Sequence, residues 1–284
     1  MGWKKNGFDY IYEAAKDFAK ETGVCVGTQT ITTVATQAAY ALNPDFLEVL
    51  TRDKDNEGLI KFATSATAVS DWLSRESYSD FLQNDNADGY PESFAIATGS
   101  IPTRMTGTAT AIGTHAGGES TLTNSSGAFL TLYPGDSVIN TTASLSGVVI
   151  ALPTIATAVK TAMFDLSSRG GAYASWASSD AYVIQPQPRY SLYLDPPPDT
   201  SGYIITVTYV AKPMPVYSDY GTYSFATGYE ESLIKYAAWL YKYRDSKQNQ
   251  GDPLYVMYEK QMRKAKNVHK RAAGGSGFNI SFMK

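Results

Sequence analysis

Tyr190-Ser191-Leu192-Tyr193-Leu194-Asp195-Pro196-Pro197-Pro198-Asp199-Thr200-Ser201-Gly202-Tyr203-Ile204-Ile205-Thr206-Val207-Thr208-Tyr209-Val210-Ala211 is the stretch that decides the fold. Its consecutive prolines, flanked by Asp195, Asp199 and Gly202, fix φ and withdraw backbone donors, which makes a rigid turn. Residues 190–194 and 203–211 on either side have the aromatic and β-branched content of strands. In the second, Tyr203, Ile205, Val207 and Tyr209 share one face, and Thr206 and Thr208 the other. That alternation predicts strands with one buried side in a small antiparallel sheet.

Downstream, a loop through Pro213 and Pro215 leads to a helix opened by the capping box Thr227-Gly228-Tyr229-Glu230. Leu233, Ala237 and Leu240 form its stripe, widened by Tyr236, Trp239, Tyr241 and Tyr243 beyond one core-facing side. Asp252 is read as the cap of a final helix, with Pro253 in its first turn and Leu254, Tyr258, Met262 and Ala265 as its stripe. The linker 246–251 is short, so the two helices should pack antiparallel. At the other end, Asn6 caps a helix over 6–22 with a stripe of Phe8, Ile11, Tyr12, Ala15, Phe18 and Ala19, stopped by Gly23. Residues 28–42 suggest a short hairpin, 65–84 short helical pieces around Trp72 and Phe81, and 90–97 a strand.

Between about 99 and 187 the composition changes. Only Arg104, Glu119, Asp136, Lys160, Asp165, Arg169 and Asp180 are charged there, and Thr, Ser, Ala and Gly dominate. Short β-prone runs (108–112, 129–132, 137–140, 148–152, 181–184) alternate with turn signals such as Pro134-Gly135-Asp136, the pattern of a small sandwich or barrel. The expected fold is therefore α+β. An antiparallel helical bundle with a small antiparallel sheet (1–98 with 188–273) carries an inserted β-sandwich or barrel (99–187) and an extended arm (274–284). On this division, a short linker in place of 103–185 should leave the helices folded.

With 284 residues, 43% hydrophobic and 18% charged, the chain can build a sizeable core. No apolar run approaches the roughly 20 residues of a membrane helix, and the start lacks the apolar stretch of a signal peptide. A single cysteine, Cys25, excludes an intrachain disulfide framework and fits a reducing compartment. The sequons at Asn124 and Asn140 lie in so Ser/Thr-rich a stretch that chance accounts for them. The net charge of −3 is uneven: residues 230–284 hold 11 basic against 5 acidic side chains. Such asymmetry suggests oriented packing in an assembly, or a polyanion near the basic part.

Past the glycines Gly274, Gly275 and Gly277, Phe278, Ile280 and Phe282 alternate with Asn279 and Ser281, the period of a strand. Ordering 278–284 costs about 7–14 kcal/mol of backbone entropy, while burying the three apolar side chains returns about 5–9 kcal/mol. The balance has to come from backbone hydrogen bonds to another strand, as in a docking arm.

No catalytic constellation is legible. His115 and Glu119 have metal-ligand spacing for a helix but sit among Gly117 and Gly118. Cys25 reads as a buried small hydrophobe, and His269 as a helix-end cation. Asp195 with Asp199, or Asp53 with Asp55, could serve a hydrolase, but all occupy turn-like settings. Neither cofactor nor metal is called for. Lys260, Arg263, Lys264, Lys266, Lys270 and Arg271 give the final helix a basic face suited to DNA phosphates or an acidic protein surface.

The order of these parts resembles the head-to-tail adaptor (connector) proteins of short-tailed bacteriophages. The matching stretches are 40–50 (Tyr40-Ala41-Leu42-Asn43-Pro44-Asp45-Phe46-Leu47-Glu48-Val49-Leu50), 90–96, 190–199, 203–213 and 229–265. The insert is similar to small β-modules of phage structural proteins and departs from the minimal adaptor pattern. The resemblance implies a virion protein of the neck, without an active site. It implies a ring, commonly of twelve copies, that binds the portal protein above and the tail nozzle protein below. Double-stranded DNA would pass through the channel without sequence recognition, and no membrane is involved. In that setting Phe278, Ile280 and Phe282 are the portal-docking arm. The alternative is a carbohydrate- or receptor-binding tail module using Trp176, Tyr173 and Tyr182 of the β-insert, and a cell-wall-degrading enzyme is a third possibility.

Overall fold

In a computed structural model, the described residues are 3–50, 59–84, 87–99, 101–165, 167, 171–219, 221, 223, 229–244 and 248–273. Helix α1 (Trp3–Thr22) is followed by β1 (Val26–Thr32), β2 (Ala39–Ala41), β3 (Phe46–Val49), β4 (Ile60–Ala63), β5 (Asp71–Trp72) and β6 (Ser74–Arg75). The one-turn α2 (Tyr78–Phe81) precedes β7 (Ser93–Thr98). Then come β8 (Met105–Thr108), β9 (His115–Ala116), β10 (Glu119–Thr123), β11 (Ser137–Asn140), β12 (Leu145–Val149), β13 (Ala158–Asp165), β14 (Tyr173–Ala174) and β15 (Ala181–Gln185). Strands β16 (Tyr190–Asp195) and β17 (Ile204–Ala211) lead to helices α3 (Glu230–Arg244) and α4 (Gln248–Ala273).

The expected helical bundle with a small sheet is not what forms. Helices make up 24% of the chain, and three sheets carry the fold. The helical stripes are real, but only α1, α3 and α4 are long enough to use them, and they make one layer beside the sheets.

Strands β16 and β17 belong to different sheets, and the proline turn is a corner between them. Strand β17 pairs with β1 on one side and with β3 and β4 on the other, and β5 extends this five-stranded sheet. Strand β16 lies between β2 and β7, with β6 at the edge of a four-stranded sheet. The two sheets face each other as a sandwich. Ile205, Val207 and Tyr209 of β17, with Ile60 and Phe62 of β4, pack against Leu192, Leu194 and Phe94. The expected 28–42 hairpin is absent, because β1 and β2 join opposite layers. The segment around Trp72 is strand rather than helix, since Lys61 and Phe62 pair with Trp72 and Asp71.

The eight-stranded sheet draws all its strands from β8 to β15, in the order β8-β15-β11-β12-β13-β10-β9 with β14 on β13. Beyond β8, Ala109 N donates to Asp180 O and Thr110 N to Thr123 O, both at 2.8 Å, which brings the sheet's two flanks together. The curled sheet encloses Trp176, Phe129, Leu122, Met163 and Ile184. Its longest strand, β13, was not legible as a strand, because buried Ala162, Met163 and Phe164 run consecutively and break the alternation. The 129–132 run forms a 3₁₀ turn instead of a strand.

The outer face of this sheet is not free. Val148, Ala162 and Phe164 pack on Phe8 and Tyr12 of α1 and on Tyr217. Replacing 103–185 with a Gly/Ser linker would expose that part of α1. The expected outcome is a sandwich that still folds, judged by circular dichroism, with an early, separate loss of helical signal on heating. Independently, a Cβ on Gly27 would lie 2.6 Å from the Tyr209 ring. Gly27→Ala should therefore destabilise the chain by about 1–3 kcal/mol in urea titration.

Candidate interaction surface

Helices α3 and α4 pack through Leu233, Tyr258 and Ala265, which also meet Ala14, Ala15 and Phe18 of α1. Aromatic rings fill the seam between α3 and α4: Tyr236 lies 4.6 Å from Tyr258 and Trp239 4.7 Å from Tyr255, centroid to centroid. Two polar pairs tie the helices together. Ser232 Oγ donates to Gln261 Oε1 at 2.6 Å, and the Tyr258 hydroxyl donates to Asp17. Burial and that carboxylate push the Tyr258 phenol well above its usual range.

Other apolar side chains of α3 face out. Ile234 is 61% exposed, and Tyr241 and Tyr243 are also exposed. On α4, Val256 and Met257 are exposed on the same side as Lys260, Arg263 and Lys264, as their spacing of three and four residues requires. Between α1 and α3 a cleft of about 550 Å³ is lined by Gly7, Tyr10, Ile11, Ile234, Ala238 and Tyr241. Arg244 donates to the Tyr10 hydroxyl at 2.8 Å along its rim. This cleft is formed by residues over 200 positions apart, so no local pattern announces it; the small Gly7 and Ala238 are its only trace in sequence.

The basic residues are only partly gathered. Lys260, Arg263 and Lys264 are exposed on α4, with Arg263 paired to Glu259 at 3.6 Å. Lys266 is drawn aside to pair with Glu21 of α1, which fixes α4 along α1. The backbone of α4 includes Lys270, Arg271 and His269, whose side chains lie outside the described residues. Phe278, Ile280 and Phe282, Asp53 and Asp55, and Thr227 with Gly228 of the capping box also lie outside them. Helix α4 starts at Gln248, a turn before the expected cap at Asp252.

The other sequence candidates are held in structural roles. His115 and Glu119 lie on paired strands, and Glu119 is 3.5 Å from Lys160 and accepts from Ser218. No cluster able to hold a metal ion occurs among the described residues. Asp195 is buried and accepts from Asn84 Nδ2 at 2.7 Å, while Asp199 accepts from the Tyr203 hydroxyl at 2.7 Å. Burial pushes the Cys25 thiol up to about 11. Asn140 is buried and donates to Asp180, which closes its sequon to modification. In the β-insert, Trp176 and Tyr182 are buried in the core, and Tyr173 lies under Lys4, 3.6 Å from its ring. Trp176 and Tyr182 are thus occupied by the core.

A polar junction ties the sandwich to the eight-stranded sheet. Lys212 Nζ donates to Pro44 O (2.9 Å) and Gln187 Oε1 (3.1 Å), and Gln187 N donates to Asp136 Oδ1 (2.9 Å). The Tyr209 hydroxyl donates to Asp45 at 2.9 Å. Burial lowers the Lys212 pKa and raises that of Asp136, the sign expected for charges withdrawn from water.

No known protein family matches the chain, and no curated protein is significantly similar to it. Among the described residues, no helix is long and apolar enough to cross a membrane. Seam and surface on the helical layer separate cleanly in mutation. Tyr258→Phe should cost about 1–3 kcal/mol of stability, because a charged acceptor loses its donor. Ile234→Lys should stay within about 0.5 kcal/mol of the parent, since the side chain is largely in water. Thermal denaturation monitored by circular dichroism measures both.

Proposed function

We propose that the chain is a structural subunit of a bacteriophage neck, a head-to-tail adaptor that assembles with copies of itself between the portal and the tail. The observation that carries this reading is the exposed apolar surface of the helical layer. Ile234 and Tyr241, seven residues apart on α3, are exposed in the cleft between α1 and α3, and Val256 and Met257 are exposed side by side on α4. Clustered exposed apolar side chains mark surfaces that meet another protein. The resemblance of the motif order to that of adaptors supports this choice of assembly. The β-rich body departs from the helical adaptor pattern, so the comparison rests on the sandwich strands, β7, β16 and β17, and on the helices α3 and α4.

The charge distribution fits this role. Lys260, Arg263 and Lys264 stand on the same outer side of α4 as Val256 and Met257. A mixed basic and apolar face suits an acidic protein partner, or DNA phosphates at a channel wall.

The test is oligomeric mass, followed by electron microscopy with a candidate portal protein. The expected result is a discrete ring, alone or coaxial with the portal, and loss of that ring in a chain carrying both Ile234→Lys and Met257→Lys. A chain that stays monomeric at every concentration and leaves the portal unoccupied overturns the proposal. Charge reversal at Arg263 and Lys264 should weaken any DNA contact and flatten its salt dependence, without changing sequence preference.

A further inference from the structure

Strand β1 is the long open edge of the molecule. Among the described residues it pairs only with β17, and nothing pairs its other side along all seven residues. The direction of its backbone groups follows from two bonds: Ala211 N donates to Cys25 O (2.8 Å), and Thr33 N donates to Tyr203 O (2.9 Å). In an antiparallel pair such bonds recur at every second residue, so the odd-numbered residues turn toward β17. Val26, Thr28, Thr30 and Thr32 then turn their N–H and C=O groups outward, and all four are exposed. Natural edges are blunted by charge, proline or a bulge. The sequence Val26-Gly27-Thr28-Gln29-Thr30-Ile31-Thr32 has no charge and no proline, and its register with β17 is unbroken. At its Val26 end lies a cleft of about 300 Å³, lined by Val24, Val26, Pro213, Met214 and Pro215 beside Lys212.

We infer that this edge is a strand-addition site, and that its occupant is segment 278–284 of a second copy of the chain. This rests on the reading that the chain assembles with itself. The segment has the seven residues of β1, and its Phe278, Ile280 and Phe282 alternate with Asn279 and Ser281. Pairing along β1 supplies the backbone hydrogen bonds that burial of three side chains lacks. The cleft beside Val26, where Val24, Pro213 and Met214 stand beside Asp45, Tyr133 and Lys212, has room for one phenylalanine ring.

The donor is assigned to a second copy because the chain is read as assembling with itself. Helix α4 runs in the same sense as α1, with Tyr258 on Asp17 and Lys266 on Glu21. It continues to Ala273, roughly 10 Å beyond Lys266, while α1 stops at Thr22. Residues 274–284 follow on from the end of α4 in sequence. Such a donor-to-edge contact is head-to-tail, the kind that closes a ring when the rotation allows.

Cross-linking in full-length chains tests this. In a Cys25→Ala background, one tagged preparation carries Thr28→Cys or Thr30→Cys and a differently tagged one carries Ile280→Cys. Neighbouring strands stand at a distance a disulfide can span. The expected result is an interchain disulfide between the two tags on oxidation, with none to a control Thr121→Cys on the exposed side of β10. Adding Thr30→Pro to the edge-bearing copy removes an outward N–H and keeps the bonds of Gln29 and Ile31 to β17. It should cut the cross-link at least about tenfold, a change in affinity worth about 1.4 kcal/mol. If Thr30→Pro misfolds by circular dichroism, Thr28→Lys with Thr32→Lys tests the same edge with charge. A dilution-independent link within one chain carrying both cysteines overturns the second-copy donor, and no link in either arrangement overturns the edge. Oligomeric mass of the parent chain separates the two readings. Assembly without the link refutes only the edge, whereas a permanent monomer refutes the adaptor.

Discussion

The joint between the helices and the eight-stranded sheet depends on how α1 buries its stripe. Phe8 and Tyr12 pack on Phe164 and Val148 of the eight-stranded sheet, while Ala14, Ala15 and Phe18 pack on Leu233, Tyr258 and Ala265 of the helical layer. The helix is a wedge between the eight-stranded sheet and the other two long helices. Asp9 and Asp17 reinforce the two sides, accepting from the Tyr217 and Tyr258 hydroxyls. A buried phenol bonded to a carboxylate is satisfied at neutral pH, so these tyrosines extend the core without leaving an unpaired polar atom.

The second joint is the strand β17 and its continuation. It is paired on both sides, and its partners reach back to β1, β3 and β4, so the sandwich cannot form before distant parts of the chain meet. Just past it, Lys212 reaches Pro44 and Gln187, and Gln187 in turn reaches Asp136. The junction is polar and half-buried, so it orients the sandwich against the eight-stranded sheet by directional bonds rather than by area alone. With the wedge of α1, this makes the β-rich insert part of the body.

The same architecture explains where surface is left over. Tyr236, Trp239, Tyr255 and Tyr258 are consumed in the α3–α4 seam, while Ile234, Tyr241, Val256 and Met257 find no cover among the described residues. The aromatics of the β-insert are used in the opposite way: Trp176 donates to Thr161 Oγ1 at 3.0 Å inside the curled sheet. Exposed apolar surface thus remains on α3 and α4, at the β1 edge and at single positions such as Val69 and Ile112 in the sheets and loops.

Local period and turn chemistry were legible without the structure. The stripes of α1, α3 and α4, the strands around Pro196–Pro198, the β11 run and the changed composition after residue 99 all follow from side-chain spacing, which acts within a few residues. Pairing was not legible. An alternating strand buries one face equally well against any sheet, so nothing in residues 190–211 says that β16 and β17 take opposite layers. A helical stripe likewise does not name its partner, and a bundle was the simplest cover for three of them. Only tertiary structure decided that α1 faces a sheet on one side, that Trp176 and Tyr182 point inward, and that a cleft opens between Gly7 and Ile234. Each is a contact between segments far apart in sequence, where the free energy depends on which complementary surfaces meet rather than on local preference.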